Sequence, residues 1–385
     1  MTMTLDAPPA AAATDGAIRN FAAEDAPAVA RLLLRAFQGR DAPPSPGMVA
    51  YLRRVYLDAP WYDPDVAARV ALDGKGTIVG FAGLIAQRLV IDGRPLRAGF
   101  SSSLAADDRA GDPTIAVRLL RHIHAGPQDA VLSDRANAVS TGLLRALRAE
   151  VVRDYSLDWL RVLRPAGFAV ASAAARFRPA KLAAPLAAPI DNALLRRAAA
   201  DDEARWSVPQ RSRQAARFSD RDADMAELLD LIPHFLASYK LRPDWSRDEL
   251  AFLLTDAAQK RTLGTFVARA VLAPGGQPIG LFLYHLRRGQ IAHVLQILAA
   301  PGREGVVIDR AIAHALGQGA VAIRGRAQPT LLPALMERRA VLVPELATII
   351  QSRDSEVLRH FAAGSTFFTG LAGENWMRLN GDSFD

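Results

Sequence analysis

The residues best suited to chemistry lie in a short polar loop, residues 107–112, which contains Arg109 and Gly111. Pro113, Thr114 and a series of apolar residues at helical spacing follow the loop and predict a helix that begins there. The first backbone N–H groups of a helix have no partner inside it, and they lie at its positive end. The loop therefore predicts an anion site of the kind that holds a pyrophosphate, and Arg109 adds a fixed positive charge to it.

The elements around this loop are predicted from apolar periodicity and turn residues. Residues 96–105 are small and apolar, include Ser101, Ser102 and Ser103, and follow a turn-prone Asp-Gly pair, so they predict a strand. The same reasoning predicts further strands at 17–21, 66–72, 77–86 and 130–133, and helices at 23–37, 48–56 and from the end of the turn at 134–137 to 147. The loop thus joins a central strand to a helix, after two helices and an antiparallel hairpin.

This order of elements, with the arginine-containing glycine loop, resembles the acyl-CoA-binding motif R-x-x-G-x-G/A of the GNAT superfamily of N-acyltransferases. Counted from the arginine, the two glycine positions of the motif fall on Asp112 and Thr114, whereas the glycine of this chain is Gly111. The resemblance implies that acetyl-CoA or another acyl-CoA binds here. Ser101, Ser102 and Ser103 are candidates to line the acceptor pocket, although a serine triplet in a strand also suits close packing. The cofactor contacts that it implies come from the strand end, the loop and a turn asparagine, namely Leu104, Ala105, Ala106, Arg109, Ala110, Gly111, Asp112, Thr114 and Asn137.

Transfer of an acyl group from a thioester to an amine needs a deprotonated amine, donors for the oxyanion and a proton source for the thiolate. A carboxylate acting through water could deprotonate the amine. Asp107, Asp108 and Asp134 are the candidates, although each also suits a turn or a cap. In the family a tyrosine about seven residues after the asparagine protonates the thiolate, but Leu144 stands there in this chain. Tyr155 is the candidate substitute, although a tyrosine that enters a strand beside a tryptophan is also typical of a core.

Length and internal repetition predict two domains. A chain of 385 residues exceeds one ordinary core, and residues 169–205 read as an alanine- and proline-rich connector. Beyond it, two helices, a hairpin, a strand, the loop 301–305, a helix and a short strand repeat the order of the first half. We predict a disordered tail at 1–16, a GNAT-like domain with the acyl-CoA site at 17–168, and a diverged GNAT-like domain at 206–385.

The predicted fold class is α/β (α+β), with two tandem domains that each contain a mixed, mostly antiparallel sheet flanked by helices. This arrangement resembles a bacterial subgroup of GNAT-like proteins with a second, diverged half. Residues 155–163 are predicted to be the last strand of the first sheet, and residues 366–371 and 375–379 to be a closing hairpin.

Composition excludes several other classes of protein. The absence of cysteine excludes disulfides, thiolate metal sites and a cysteine nucleophile. The seven histidines are scattered, and His122 and His124 do not share a helix face, so no metal site is expected. No apolar run approaches the ~20 residues that cross a bilayer, and the N-terminus lacks a signal-peptide pattern, so we predict a cytoplasmic protein without membrane insertion. The net charge of +7 comes almost entirely from arginine without interleaved aromatics, so nucleic acid is not an expected partner.

Three functional hypotheses follow. The favoured one is an acyl-CoA-dependent N-acyltransferase, most simply an acetyltransferase, that acts on an amine of a small molecule or peptide. The second is a degenerate, non-catalytic GNAT-like protein that binds CoA or another small molecule. The third, an aminoacyl-tRNA-dependent transferase, is the least favoured because no basic helix or arm for tRNA is evident. The sequence leaves the acceptor, the acyl chain and the oligomeric state open.

Overall fold

The computed structural model describes residues 16–200, 217–379 and 381–384. The predicted tail and the end of the predicted connector thus fall outside the described residues, apart from Gly16. The strands up to residue 200 are β1 (Ile18–Asn20), β2 (Arg69–Leu72), β3 (Ile78–Ile91), β4 (Arg94–Ala106), β5 (Ala130–Ala136), β6 (Glu150–Val151) and β7 (Leu157–Val162). The helices of the same region are α1 (Ala26–Gln38), α2 (Pro46–Tyr56), α3 (Ile115–His124), α4 (Ala138–Ala146), α5 (Pro165–Arg176) and α6 (Ala184–Ala200).

The region from residue 217 onward repeats much of this order. Its strands are β8 (Ser219–Asp222), β9 (Leu241–Pro243), β10 (Thr265–Leu272), β11 (Pro278–Leu286), β12 (Ile291–Ala299), β13 (Ala322–Arg326), β14 (Val341–Pro344) and β15 (Ala347–Ser352). Its helices are α7 (Met225–Leu236), α8 (Arg247–Ala258), α9 (Glu304–Gly317), α10 (Leu332–Glu337) and α11 (Ser355–Ala362).

The strands form two sheets. The first has the order β1-β2-β3-β4-β5-β15-β6, with β9 also paired to β3, and the second has the order β14-β7-β13-β12-β11-β10-β8. Strands β4 and β5 run parallel, as do β12 and β13, while the hairpins and outer pairs are antiparallel. Two mostly antiparallel sheets flanked by helices are what two GNAT-like domains would give, and the predicted fold class is confirmed.

The chain divides into two compact units. The first contains the described residues up to Ile85 together with Ser101–Pro127, and the second contains Ala86–Phe100 and the described residues from Gln128 onward. Strands β3 and β4 each pass from one unit into the other. The predicted acyl-CoA loop belongs to the first unit, whereas all strands of the second sheet belong to the second unit.

Packing of α3 onto β3 positions the loop in the first unit. The helix buries Ile115 and Leu119 at helical spacing, and both side chains face Gly80 of β3. A β-carbon on Gly80 would lie 2.5 Å from Cγ2 of Ile115, so the absence of a side chain there permits the close approach. The start of α3, and with it the polar loop, is therefore fixed by a tightly packed helix-strand contact.

Strand β7 lies in the second sheet and not at the end of the first, which corrects the prediction for residues 155–163. It pairs with β13, where Trp159 opposes Gly325 and Asp158 opposes Arg326. A β-carbon on Gly325 would lie 3.2 Å from the Trp159 indole nitrogen, and Asp158 accepts a hydrogen bond from Arg324 at 2.6 Å. Gly325 and Arg324 thus favour the pairing of β7 with β13, a strand that is distant in sequence.

The place beside β5 is taken by β15, which pairs with β5 and β6. Because β7 precedes the connector and β15 follows it, the connector does not separate the two sheets, in contrast to the predicted boundaries at 168 and 206. The predicted closing hairpin is also absent. Within residues 364–379 the described chain has one 3-10 turn, Gly370–Ala372, and a single bridge from Thr366 to Leu241.

Candidate functional site

Strand β4 continues well beyond its pairing with β5. The parallel register runs from Ala98 opposite Ala130 to Phe100 opposite Leu132, whereas β4 extends to Ala106. The registered pairing with β5 therefore covers residues 98–100 and does not include the last six residues of β4. Backbone N–H and C=O groups beyond a paired stretch need another hydrogen-bond partner, which a ligand can supply.

The backbone of β4 changes direction at Ser103, within this stretch. Ser103 has φ 51°, in the left-handed region that residues other than glycine, asparagine and aspartate rarely adopt. A residue of this kind breaks the alternation of a strand and re-aims the groups that follow, as a β-bulge does. The groups that follow here are the amides of Leu104, Ala105 and Ala106, which the family resemblance placed among the cofactor contacts. Ser101 and Ser102 are buried, while Ser103 is only half-buried.

The loop after β4 is held by its own aspartates. Asp107 accepts a hydrogen bond from the backbone N–H of Arg109 at 3.1 Å and another from Arg35 at 2.7 Å. Asp112 accepts from the backbone N–H of Thr114 at 2.8 Å and from its hydroxyl at 2.6 Å. The hydroxyl bond lowers the pKa of Asp112. Both carboxylates therefore act as turn or cap groups. For Asp107 the sequence had allowed this role as the alternative to that of a base.

The remaining residues of the loop shape it and charge it. Ala110 donates its N–H to the carbonyl of Asp107, and Gly111 has φ 71°, a conformation that glycine adopts without strain. Arg109 is exposed and contacts Asp41 through a 2.8 Å ion pair, which raises the arginine pKa and lowers the aspartate pKa. Asp108 is also exposed.

Three arginines near the loop are each paired with a carboxylate. Arg35 contacts Asp107 and Arg109 contacts Asp41, in addition to a 3.2 Å contact between Arg118 and Asp112. An anion that binds here must compete with these carboxylates for the same guanidinium groups. The first N–H groups of an α-helix have no partner within the helix, and such groups at the start of α3 are of the kind that binds phosphate.

Asn137 and Leu144 lie in the second unit, on α4. Asn137 is the N-cap of the helix, and its side-chain oxygen accepts the N–H of Ser140 at 2.9 Å. Leu144 is buried, so a side chain at this position has a packing role. Leu144 therefore cannot serve as the proton donor that the resemblance implied at this position.

Asp134 is completely buried in the second unit. Its Oδ1 accepts the backbone N–H of Glu374 at 3.0 Å, and its backbone carbonyl accepts a hydrogen bond from Arg326 at 2.8 Å. Among the described residues its Oδ2 has no hydrogen-bond partner. A β-carbon on Gly373 would overlap this carboxyl group. Burial raises the pKa of Asp134. These contacts attach Asp134 to residues 364–379, which we call the C-terminal segment. A base that works through water needs solvent at its carboxyl group, whereas Asp134 is buried.

Tyr155 is equally buried and also attaches to the C-terminal segment. Its hydroxyl donates to the carbonyl oxygen of Thr366 at 2.9 Å, and burial raises its pKa. Gln328 donates to the same carbonyl at 2.6 Å and accepts from the N–H of Phe368. The N–H of Phe367 also donates to the carbonyl oxygen of Leu241 in β9 at 2.8 Å. Buried side chains and this short strand together satisfy the backbone of an otherwise irregular segment.

Several residues of structural importance were not singled out from the sequence. Gln296 accepts the N–H of Leu371 from within the apolar strand β12, and a polar residue amid that apolar run was a usable signal. Tyr56 hydrogen-bonds Ser102 at 2.9 Å, but at the end of an amphipathic helix it reads only as an apolar position. Arg35 offered no signal, because its partner is distant in sequence.

The described residues lack two further features. They contain no group of three or more histidine, aspartate and glutamate side chains that could hold a metal ion. Nor does any helix in these residues combine the length and apolar character that crossing a bilayer requires.

No protein-family model and no curated protein sequence matches the chain. Solved structures do match its fold. A probable N-acyltransferase from Enterococcus faecalis V583, a conserved protein of unknown function, is 9% identical with a TM-score of 0.57, over 88% of this chain and 72% of that chain. GCN5-related N-acetyltransferases match from Kribbella flavida (12% identity, TM-score 0.51, 90% of this chain and 73% of that chain) and from Anabaena variabilis ATCC 29413 (11%, 0.56, 88% and 73%). At these identities the likeness concerns the fold, and we conclude that the chain has the fold of the GNAT superfamily.

Proposed function

We propose that the protein is an acyl-CoA-dependent N-acyltransferase that acylates an amine of a small molecule or peptide, with acetyl-CoA as the simplest donor. The observation that carries the proposal is the left-handed Ser103, which lies beyond the registered pairing of β4 with β5 and directly before Leu104, Ala105 and Ala106. Strained backbone of this kind is concentrated at functional sites. The arginine-containing loop and the start of α3 follow it immediately.

The reaction needs little from side chains. The amine nitrogen attacks the thioester carbon, charge develops on the carbonyl oxygen, and backbone N–H groups of residues 104–106 stabilise that charge. The C–S bond then breaks. A thiol with an ordinary pKa of ~8.5 can leave as a thiolate near neutral pH, so the absence of a tyrosine at Leu144 slows this step without preventing it. Asp108, exposed on the loop, is the carboxylate we assign to deprotonating the amine through water.

The diphosphate would be held by Arg109, the loop and the first turn of α3. The loop between β12 and α9 offers no equivalent site, because Glu304 accepts the N–H of Gly302 at 3.1 Å and brings a negative charge. The guanidinium of Arg338 also fills the space beside Gly305, where a β-carbon would lie 2.5 Å from its Nη2. We therefore expect one CoA per chain.

A second function, binding of CoA without turnover, is favoured by a specific observation. Asp134 and Tyr155, which the sequence predicted as base and acid, bind the C-terminal segment through Oδ1 and the phenol hydroxyl, respectively. If neither is available and Asp108 does not act, the site binds a ligand but transfers nothing.

Calorimetry with CoA, followed by thiol-release assays with a panel of acyl-CoAs and amines, separates the two functions. We expect one equivalent of CoA to bind at micromolar concentration and at least one acyl-CoA and amine pair to release thiol. Binding without release across the panel would favour the second function. Absence of CoA binding would refute both.

A further inference from the structure

We propose that Tyr56 is a positioning residue that holds the left-handed turn at Ser103 and so aims the amides of residues 104–106. The inference rests on the proposed function for its catalytic consequence, whereas its structural part concerns only the first unit. Tyr56 is the last residue of α2, and it belongs to neither the loop nor the strand that the sequence pointed to.

The contact that carries the inference is a buried hydrogen bond. The Tyr56 hydroxyl lies 2.9 Å from Oγ of Ser102, the residue directly before Ser103, and both side chains are 3% exposed. A buried hydroxyl that loses its partner carries a desolvation cost, so this bond resists any rotation that moves Ser102 away. The strained conformation of Ser103 needs such a restraint, because a serine in a strand otherwise prefers negative φ.

The phenol is itself held rigidly. Its ring contacts Phe21 with centroids 6.2 Å apart and Phe81 with centroids 5.4 Å apart, both in edge-on geometry. Phe21 and Phe81 also contact each other at 5.6 Å. Three mutually packed rings leave the hydroxyl little freedom, so it can act as a fixed point for the strand.

The neighbouring strand makes room for the hydroxyl. Gly83 of β3 faces it, and a β-carbon there would lie 2.5 Å from the Tyr56 hydroxyl and 2.7 Å from both the carbonyl oxygen and Oγ of Ser102. The space that a side chain of β3 would fill is therefore used by the phenol to reach β4. A glycine within a strand weakens it and often marks a close approach of this kind.

The consequence for the site follows from strand geometry. Successive N–H groups of a strand alternate in direction, and one left-handed residue resets the alternation for those that follow. If Ser103 relaxed to a regular strand conformation, the amides of residues 104–106 would turn relative to the loop. The oxyanion donors would then be misplaced, while the loop that holds the diphosphate would remain.

The test compares Tyr56→Phe with Tyr51→Phe. Tyr51 lies on the same helix and is also 3% exposed, so the control removes the same atom from a side chain of equal burial. Crystal structures of the two variants report φ at Ser103 without any assay of activity. We expect a negative φ in Tyr56→Phe and a positive φ in Tyr51→Phe. A positive φ in Tyr56→Phe would overturn the inference.

Kinetics provide the second readout. Removal of one oxyanion donor typically lowers kcat about 100-fold or more, so partial misplacement in Tyr56→Phe should lower kcat about tenfold or more. The dissociation constant of CoA should change less than about threefold, because the loop is untouched. Equal kcat values in the two variants would contradict the positioning role. If Tyr56→Phe does not fold, Ser102→Ala removes the same hydrogen bond from the other side and should give the same φ and kcat.

These outcomes separate the inference from the proposed function. A wild-type protein that turns over no acyl-CoA would refute the proposed function, and the φ comparison would still decide whether Tyr56 holds the turn. A wild-type protein that is active, with an unchanged kcat in Tyr56→Phe, would refute the inference alone.

Discussion

Replacement of Tyr155 by phenylalanine tests whether this residue anchors the C-terminal segment or donates a proton. The change removes one hydrogen bond to the carbonyl oxygen of Thr366, which keeps its 2.6 Å hydrogen bond from Gln328. Because the carbonyl is still satisfied, the loss should be that of one ordinary neutral hydrogen bond, roughly 0.5–1.5 kcal/mol of unfolding free energy. The ring contact with Phe361, at 5.0 Å between centroids, should persist.

Urea unfolding measures the effect directly. We expect a lower midpoint with an unchanged denaturant slope, because the surface exposed on unfolding is the same. Tyr239→Phe is the matched control, since Tyr239 is buried and its hydroxyl lies 2.9 Å from Oγ1 of Thr330. Both variants should lose similar stability and keep kcat within about twofold of the wild type.

A proton donor would behave differently. Loss of a general acid typically lowers the rate by about 100-fold to 10,000-fold. A fall of that size in Tyr155→Phe, with stability equal to that of the wild type and normal kcat in Tyr239→Phe, would refute the anchoring role. It would also restore Tyr155 as the acid that the sequence suggested.

Three further predictions follow. Arg109→Ala should weaken CoA binding by roughly 10- to 150-fold, as loss of a charged hydrogen bond does, and should leave the urea midpoint unchanged because the ion pair of Arg109 with Asp41 is exposed. Equal CoA affinity of variant and wild type in calorimetry would contradict the site. Burial lowers the pKa of His285 to about 4 from an ordinary value of ~6.5, so the unfolded state takes up a proton first as the pH falls, and the free energy of unfolding should decrease between pH 6.5 and 4. The urea midpoint should therefore be lower at pH 5 than at pH 7.5, and this difference should be smaller in His285→Gln. A fragment of residues 1–165 should aggregate, because β5 loses its partner β15 and β7 loses β13 and β14; a monomeric fragment in size-exclusion chromatography would show that the exchanged strands are dispensable.

Local signals were sufficient for most of the fold and for the location of the loop. Apolar residues at helical spacing, glycine turns and proline starts predicted α2, α3 and the hairpins, because these patterns act over a few neighbouring residues. The helix predicted at residues 48–56 ends at the same residue as α2, and the strand predicted at residues 130–133 begins at the same residue as β5. The polar loop was found for the same reason.

The catalytic candidates show where local reasoning ends. The Asp134 carboxyl and the Tyr155 phenol are groups that can act as base and acid. Their hydrogen-bond partners, Glu374 and Thr366, are more than two hundred residues away in the sequence. Whether a carboxyl or a phenol meets solvent or a buried backbone group depends on which distant segment packs against it. No spacing within the sequence carries that information.

What the sequence determined by itself is most of the helices and strands up to β13, their repeated order, and a cationic glycine loop at the start of a helix. Only the tertiary structure decided that β7 and β15 exchange sheets, that the C-terminal segment is held by buried polar side chains, and that Tyr56 reaches Ser102 through the space left by Gly83. The physical reason is the range of the interactions. Helix periodicity and turn geometry are set by residues a few positions apart, whereas strand partners, buried hydrogen bonds and the room for a ring are set by packing between residues that the sequence keeps far apart.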